Sequence, residues 1–340
     1  MSFDPALDTL FLPFRDGHLQ WPQDDALFLR ARDGAALHEW KSRLVCEQSF
    51  KPDADALQRA GFTMASVDEN KHPLILILPP RQRDEARALF ARAISSLQPN
   101  GRIVASVTNN EGARSHEADL DRLAGPLTTM SKNKCRVFWT APLDSNNTAL
   151  ANEWRELDAV RPIENGRFMS RPGVFAWDRI DVASALLAKH LPIDLTGRAA
   201  DLGAGFGFLA AELLSRCPKI VALDLYEAEK RALDLARVNL KSTHISIEFH
   251  WHDVAAGLPH KYDVIVMNPP FHTHSANERP DIGRRFVAVA AESLNPGGRL
   301  WLVANRHLPY ESALNDSFSK VRTVVQQHGF KVIEAIKNKK

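Results

Sequence analysis

From residue 198 the chain runs Arg198-Ala199-Ala200-Asp201-Leu202-Gly203-Ala204-Gly205-Phe206-Gly207-Phe208. It opens as a short apolar strand, passes through three glycines at alternate positions and enters a helical stretch. Glycines let the backbone turn tightly and let a ligand approach without a Cβ in the way. The helix that follows offers free N–H groups and the positive end of its dipole. Around this stretch, apolar runs at 198–202, 219–224, 245–250, 262–267, 299–304 and about 331–336 alternate with helical segments. Upstream, Asp178 to His190 reads as an amphipathic helix with Ile180, Ala183, Leu186 and Leu187 on one face. The alternation predicts a mostly parallel sheet covered on both sides.

The first half echoes the second. Leu74-Ile75-Leu76-Ile77-Leu78-Pro79-Pro80 is followed by a helical stretch from Arg83 to Leu97, then Gln98-Pro99-Asn100-Gly101 and the apolar run from Arg102 to Val107. In the second half, Asp263 to Met267 leads into Asn268-Pro269-Pro270, a helical stretch from Arg284 to Leu294, then Asn295-Pro296-Gly297-Gly298 and the run from Arg299 to Ala304. The order of strand, double proline, helix, turn and strand predicts a duplicated α/β domain. Chance recurrence of a common α/β unit is the alternative. A polar break at Ser145-Asn146-Asn147-Thr148 predicts two domains, 1–150 and 151–340. Glu164-Asn165-Gly166 then has hairpin-turn chemistry.

Bulk properties set limits. A chain of 340 residues suits two domains. Its net charge of +2 excludes a wholly basic nucleic-acid coat. From Arg279 to Lys340, however, eleven Lys and Arg face five Asp and Glu. Such a segment attracts phosphate, although a solvated surface has the same composition. Cys46, Cys135 and Cys217 form no paired motif, which fits a reducing compartment rather than a disulfide framework or zinc site. No apolar stretch approaches membrane-spanning length, and the expected location is the cytoplasm.

The glycine loop is more specific than a generic turn. Dinucleotide binders space their glycines G-x-G-x-x-G. Here the pattern is D-x-G-x-G-x-G, which resembles the first motif of class I S-adenosylmethionine-dependent methyltransferases. The resemblance implies that Asp201, Gly203, Gly205 and Gly207 form the cofactor loop. Asp224, at the end of Ile220-Val221-Ala222-Leu223, is read as the acid for both ribose hydroxyls. Asp253, after Phe249-His250-Trp251-His252, is placed by the same resemblance at the adenine amino group; a helix cap is its alternative role.

Asn268-Pro269-Pro270-Phe271 carries the chemistry. An exocyclic amine on a purine is a poor nucleophile, because its lone pair is delocalised into the ring. Two acceptors, the Asn268 side-chain oxygen and the Pro269 carbonyl, can hold its hydrogens and aim the lone pair. The prolines stiffen the loop, and Phe271 supplies a flat face for a base. The reaction expected is in-line displacement at a sulfonium methyl group, with no metal and no covalent intermediate. The first-half echo, Leu78-Pro79-Pro80-Arg81, lacks both amide and aromatic and is read as a rigid turn. His272 and His274 lack companions at metal-ligand spacing, so no metal is expected.

The run from Pro172 to Asp181, the glycine loop, Asn268-Pro269-Pro270-Phe271-His272 and the run from Asn295 to Tyr310 together resemble the bacterial small-subunit ribosomal RNA guanine-N2 methyltransferase C family. The resemblance implies two tandem Rossmann-like domains, the N-terminal one degenerate and without a cofactor site; Arg32-Asp33-Gly34 is its nearest equivalent to the loop. It also implies S-adenosylmethionine as donor and N2 of a guanine in 16S rRNA, within the assembled small subunit, as acceptor. A monomer with no membrane partner is expected. Phe175 and Asp178 are placed beside the cofactor or substrate, with core packing the other role open to Phe175. Thr273-His274 departs from the family pattern, where a small acidic or glycine-containing turn is usual. A sister family acting on 23S rRNA shares the loop and the duplication. Protein glutamine methyltransferases use the same acceptor logic, usually with Tyr at the Phe271 position and without the N-terminal partner. A non-catalytic RNA-binding assembly factor is the alternative from a different class, and the retained Asp201, Asp224 and Asn268 argue against it.

Overall fold

The computed structural model describes residues 3–65, 70–144, 148–241, 245–270, 280–308, 310, 314–315 and 317–339. The chain divides into two compact units, one of residues 1–160 with 171–173 and the other of 161–170 with 174–340.

The first unit begins with two short helices, α1 (Pro5–Leu10) and α2 (Leu12–Arg15), and continues through β1 (Ala26–Leu29), β2 (Leu44–Glu47), α3 (Lys51–Arg59), β3 (Thr63–Met64), β4 (His72–Ile77), α4 (Arg83–Ser96), β5 (Leu97–Thr108), α5 (Ala113–Ala124), β6 (Leu127–Lys132), β7 (Cys135–Thr140) and α6 (Thr148–Arg155). Its sheet order is β3-β2-β1-β4-β5-β7-β6. The first five strands are parallel, and β7 runs antiparallel to both β5 and β6. This unit extends past residue 150 because α6 buries Leu150, Ala151 and Trp154 in the same apolar cluster as Phe90 and Ala93 of α4.

The second unit opens with a hairpin, β8 (Arg161–Ile163) and β9 (Phe168–Ser170), turned by Glu164, Asn165 and Gly166, all at positive φ. It continues through α7 (Val182–His190), β10 (Thr196–Leu202), α8 (Phe208–Arg216), β11 (Lys219–Glu227), α9 (Lys230–Asn239), β12 (Ser246–Trp251), β13 (Tyr262–Met267), α10 (Pro280–Ser293), β14 (Leu294–Asn305), β15 (Phe318–Gln327) and β16 (Phe330–Lys337). The order β12-β11-β10-β13-β14-β16-β15 repeats the first sheet strand for strand. Both units are therefore Rossmann-like α/β domains, and the duplication extends to the full topology. One apolar cluster lies under α7, α8 and α9 and the other under α10, so the central strands are buried on both faces.

Three local differences from the sequence reading have clear causes. The predicted turns at 98–101 and 295–298 lie inside β5 and β14 as ladder irregularities, where Pro99 and Pro296 cannot donate and Asn100 and Gly297 take positive φ. Strand β15 has no expected counterpart, because as an edge strand it carries mostly exposed residues such as Lys320, Arg322 and Thr323. Helix α7 starts at Val182, after Asp181, whose carboxylate caps it by accepting from the Ser184 N–H at 2.8 Å. Among the described residues no helix is long and apolar enough to cross a membrane.

Candidate active site

Strand β10 ends at Leu202 and α8 starts at Phe208, so the five residues between them form the glycine loop. Neighbouring β11 pins this loop. The N–H groups of Gly203 and Ala204 donate to the Tyr226 carbonyl at 2.8 and 3.1 Å, and the Gly205 N–H donates to Glu227 Oε2 at 2.8 Å. Two glycines have separable reasons. Gly205, at φ 55°, would place a Cβ in open space, so no described residue occupies the approach to its backbone. Gly207, at φ 90°, would place a Cβ 3.2 Å from Ala236 and Leu240, which makes it the glycine of helix packing.

Asp201 is fully buried, and among the described residues neither carboxylate oxygen has a well-formed hydrogen bond. Burial pushes its pKa up to about 8, with the Ala210 amide opposing and the Glu227 charge adding to the shift. A buried, unsatisfied carboxylate under a loop open to ligand is unusual enough to mark a functional position.

The structure corrects the reading of Asp224. Strand β11 does not stop there but runs three residues further, through Leu225 and Tyr226 to Glu227. Asp224 is 1% exposed and its Oδ2 accepts from Arg198 Nη2 at 2.7 Å and Tyr262 Oη at 2.6 Å. The Tyr262 hydroxyl also meets that of Tyr226 at 2.6 Å, so the acid anchors a buried network and has no face for a ligand. Asp224, Glu248 and His260 are close enough to suggest a cation site, but the guanidinium of Arg198 already neutralises Asp224. The acid at the C-terminal end of β11 is Glu227, which the sequence reading missed. Its half-buried carboxylate accepts from Gly205 at 2.8 Å and Glu229 at 2.7 Å, and burial raises its pKa. Ligands of open α/β sheets gather at the carboxyl ends of the strands, so continuing the apolar alternation to Tyr226 would have found it.

Asp253 follows β12 and caps a short 3₁₀ turn, accepting from the Ala255 N–H at 2.9 Å, and remains half-buried. Asp178 is exposed and paired with Arg179 at 2.8 Å. Phe175 is 70% exposed and lines a cleft with Gly203, Gly205, Asp181, Ser184 and Asn268.

Asn268 follows the last residue of β13. Its Nδ2 donates to Asp181 Oδ2 at 3.0 Å and Ser184 Oγ at 2.9 Å. Both amide hydrogens are thereby spent, leaving Oδ1 as the group with acceptor capacity to spare. Pro269 is buried and Pro270 exposed. Phe271, His272 and His274 lie outside the described residues.

The arrangement unites a ligand-accessible glycine loop with an oriented amide acceptor in one cleft. Comparison with known proteins gives this a family. The methyltransferase small domain family model matches residues 165–334. Ribosomal RNA small subunit methyltransferase C from Psychromonas ingrahamii is 28% identical, over 81% of this chain and 79% of that protein. The Salmonella newport protein of the same name is 30% identical, over 76% and 73%. Among solved structures, the T. thermophilus 16S rRNA N2 G1207 methyltransferase in complex with AdoMet and guanosine matches with a TM-score of 0.81 and 24% identity, over 98% of this chain and 92% of that one, a likeness of fold. With a methyltransferase small domain across its second half and 30% identity to a named relative over most of both lengths, the chain belongs to the ribosomal RNA small subunit methyltransferase C family.

Proposed function

We propose that this methyltransferase transfers a methyl group from S-adenosylmethionine to the exocyclic N2 amine of a guanine in 16S rRNA, corresponding to the G1207 named for the T. thermophilus structure. The observation that carries this reading is Asn268, whose amide shares a cleft with the glycine loop and has both hydrogens turned away from solvent by Asp181 and Ser184. S-adenosylmethionine supplies an electrophilic methyl on a cationic sulfonium. The residues present fit that group. The Gly205 backbone is open to it, and Asp201 lies beneath the loop as an unsatisfied acid. Glu227 would hold the ribose hydroxyls in place of Asp224, and Asp253 would hold the adenine amino group. Gly203, Gly205 and Gly207 shape the loop.

The chain's part in the reaction is positioning. Asn268 Oδ1 and the Pro269 carbonyl accept the two amine hydrogens, which turns the nitrogen lone pair toward the methyl group. Two prolines restrict the loop, so these acceptors need little reorganisation. Phe271 and Phe175 offer apolar faces to the base. No strong base is needed, because the amine sheds its proton after it has become cationic.

The first unit holds no cofactor in this reading. Its equivalent of the glycine loop follows β1 with Arg30 at φ 58°, and a Cβ on Gly34 would lie 2.6 Å from Leu7 of α1. Gly173 lies against Glu85 so closely that an added Cβ would be 2.5 Å from its carboxyl carbon. Close packing at these two glycines, by Leu7 and by Glu85, supports that reading. The first unit then supports RNA contacts, the substrate is the assembled small subunit, and the protein acts as a monomer in the cytoplasm.

Mapping methylguanosine in 16S and 23S rRNA from cells with and without the gene tests the reading. Loss of one N2-methylguanosine from 16S rRNA is the expected result, and loss from 23S rRNA instead would transfer the assignment to the large subunit. Asn268→Ala should keep cofactor affinity while turnover falls by roughly 10²–10³-fold, the usual effect of removing one group that bonds the reacting centre. Full turnover in that variant contradicts the mechanism.

A further inference from the structure

We infer that Asp181 and Ser184, at the N-terminus of α7, are positioning residues that fix which way the Asn268 amide faces, an inference that rests on the amine-methylation reading. An asparagine amide is nearly symmetrical in shape but opposite in chemistry at its two ends. Turned one way it offers an acceptor to the substrate amine. Turned the other way it offers N–H groups, and two donors then face each other. Nothing in the Asn268-Pro269-Pro270 backbone selects between these states. The selection comes from residues 87 and 84 positions earlier in the chain.

The chemistry of the pair makes the choice unambiguous. The Asp181 carboxylate only accepts, and the oxygen that receives Asn268 Nδ2 at 3.0 Å also receives the Ser184 N–H at 2.8 Å. The helix cap and the catalytic amide therefore share one oxygen, and an ordinary helix start becomes the fixed point of the acceptor. Ser184 is 9% exposed, and its hydroxyl takes the second amide hydrogen at 2.9 Å. A flipped amide would set Oδ1 against the Asp181 carboxylate oxygen with no hydrogen between them, which disfavours that state. Charge-assisted bonds of this kind are the stronger ones, and partners behind a reactive group tune it without touching substrate.

The variants that separate positioning from folding are Asp181→Ser, which keeps a good helix cap but has a shorter reach, Ser184→Ala, and Asp181→Asn, whose side-chain oxygen can still accept both N–H groups. Each is assayed on unmodified 16S rRNA and on small subunits reconstituted from it, with S-adenosylmethionine affinity by calorimetry and exchange of the Asn268 side-chain NH₂ by NMR. Expected are a kcat lower by about 10- to 100-fold in Asp181→Ser and Ser184→Ala, less than a direct group's loss. KM, cofactor affinity and unfolding midpoint should stay near wild type, Asp181→Asn should recover most of the rate, and the NH₂ should exchange faster in the two damaging variants. Unchanged kcat overturns the inference. So does weakened cofactor binding that accounts for the whole loss, since Asp181 would then be a cofactor ligand. If wild-type enzyme methylates neither substrate, the amine-methylation reading fails; NH₂ exchange still decides the positioning, and equal exchange in wild type and Asp181→Ser overturns it.

Discussion

Replacing Asp224 and Glu227 one at a time by alanine separates the two acids that compete for one role. Asp224→Ala removes the acceptor of Tyr262 Oη at 2.6 Å and Arg198 Nη2 at 2.7 Å. A hydrogen bond to a buried charged group contributes about 1.5–3 kcal/mol. The Tyr262 bond is fully enclosed and takes that value. The Arg198 side chain is 37% exposed, so screening reduces its share to about 1 kcal/mol or less. The sum is a loss of roughly 2–4 kcal/mol. At about 2–4 °C per kcal/mol for a unit of this size, the melting midpoint of the second unit falls by on the order of 10 °C. Affinity for S-adenosylmethionine in the folded fraction stays close to wild type. Glu227→Ala behaves oppositely. It removes an acceptor proposed for the ribose and releases the Gly205 N–H, which at about 1.5–3 kcal/mol weakens cofactor binding roughly 10- to 100-fold. Calorimetric titration with S-adenosylmethionine and differential scanning calorimetry on the same samples read both quantities. The reasoning is refuted if Asp224→Ala loses cofactor affinity with its melting temperature intact while Glu227→Ala binds normally.

Two further outcomes follow from the site and its supports. Gly283 of α10 lies so close to Tyr310 that an added Cβ would be 1.7 Å from the hydroxyl oxygen, and Tyr310 is fully buried. Gly283→Ala should therefore destabilise by about 1–3 kcal/mol despite the better helix propensity of alanine, and Gly283→Ala with Tyr310→Leu should recover part of it; urea unfolding would show the opposite order if the notch is not real. Asp201, raised from 3.8 to about 8, binds its proton more tightly folded than unfolded, so its ionisation lowers stability as pH rises through that window. Asp201→Asn removes the titration, and its stability relative to wild type should climb between about pH 4 and 8, then level off; urea midpoints that differ by the same amount at every pH would contradict the assignment.

The glycine loop, the Asn268-Pro269-Pro270 stretch and the central strands are legible in the sequence because each is set by neighbours a few residues away. Glycine spacing shapes a turn, proline restricts φ, and a strand buried on both faces needs an unbroken apolar run. The hairpin at Glu164-Asn165-Gly166 is equally local. The duplication is legible as well, because two copies of one topology place their double prolines and their positive-φ turns in the same order. Tertiary structure decided everything that depends on where a strand ends or what faces it. Asp224 and Glu227 are both acids on one strand, three positions apart. Only the pairing of β11 with β10 and β12, and the approach of Arg198 and Tyr262, make the first a buried anchor and the second a strand-end group beside the loop. The edge strand β15 escapes periodicity because water, rather than a packed face, selects its side chains. The orientation of Asn268 escapes it too. The tetrapeptide names an amide, but its direction is set by Asp181 and Ser184, which only folding brings within hydrogen-bonding distance.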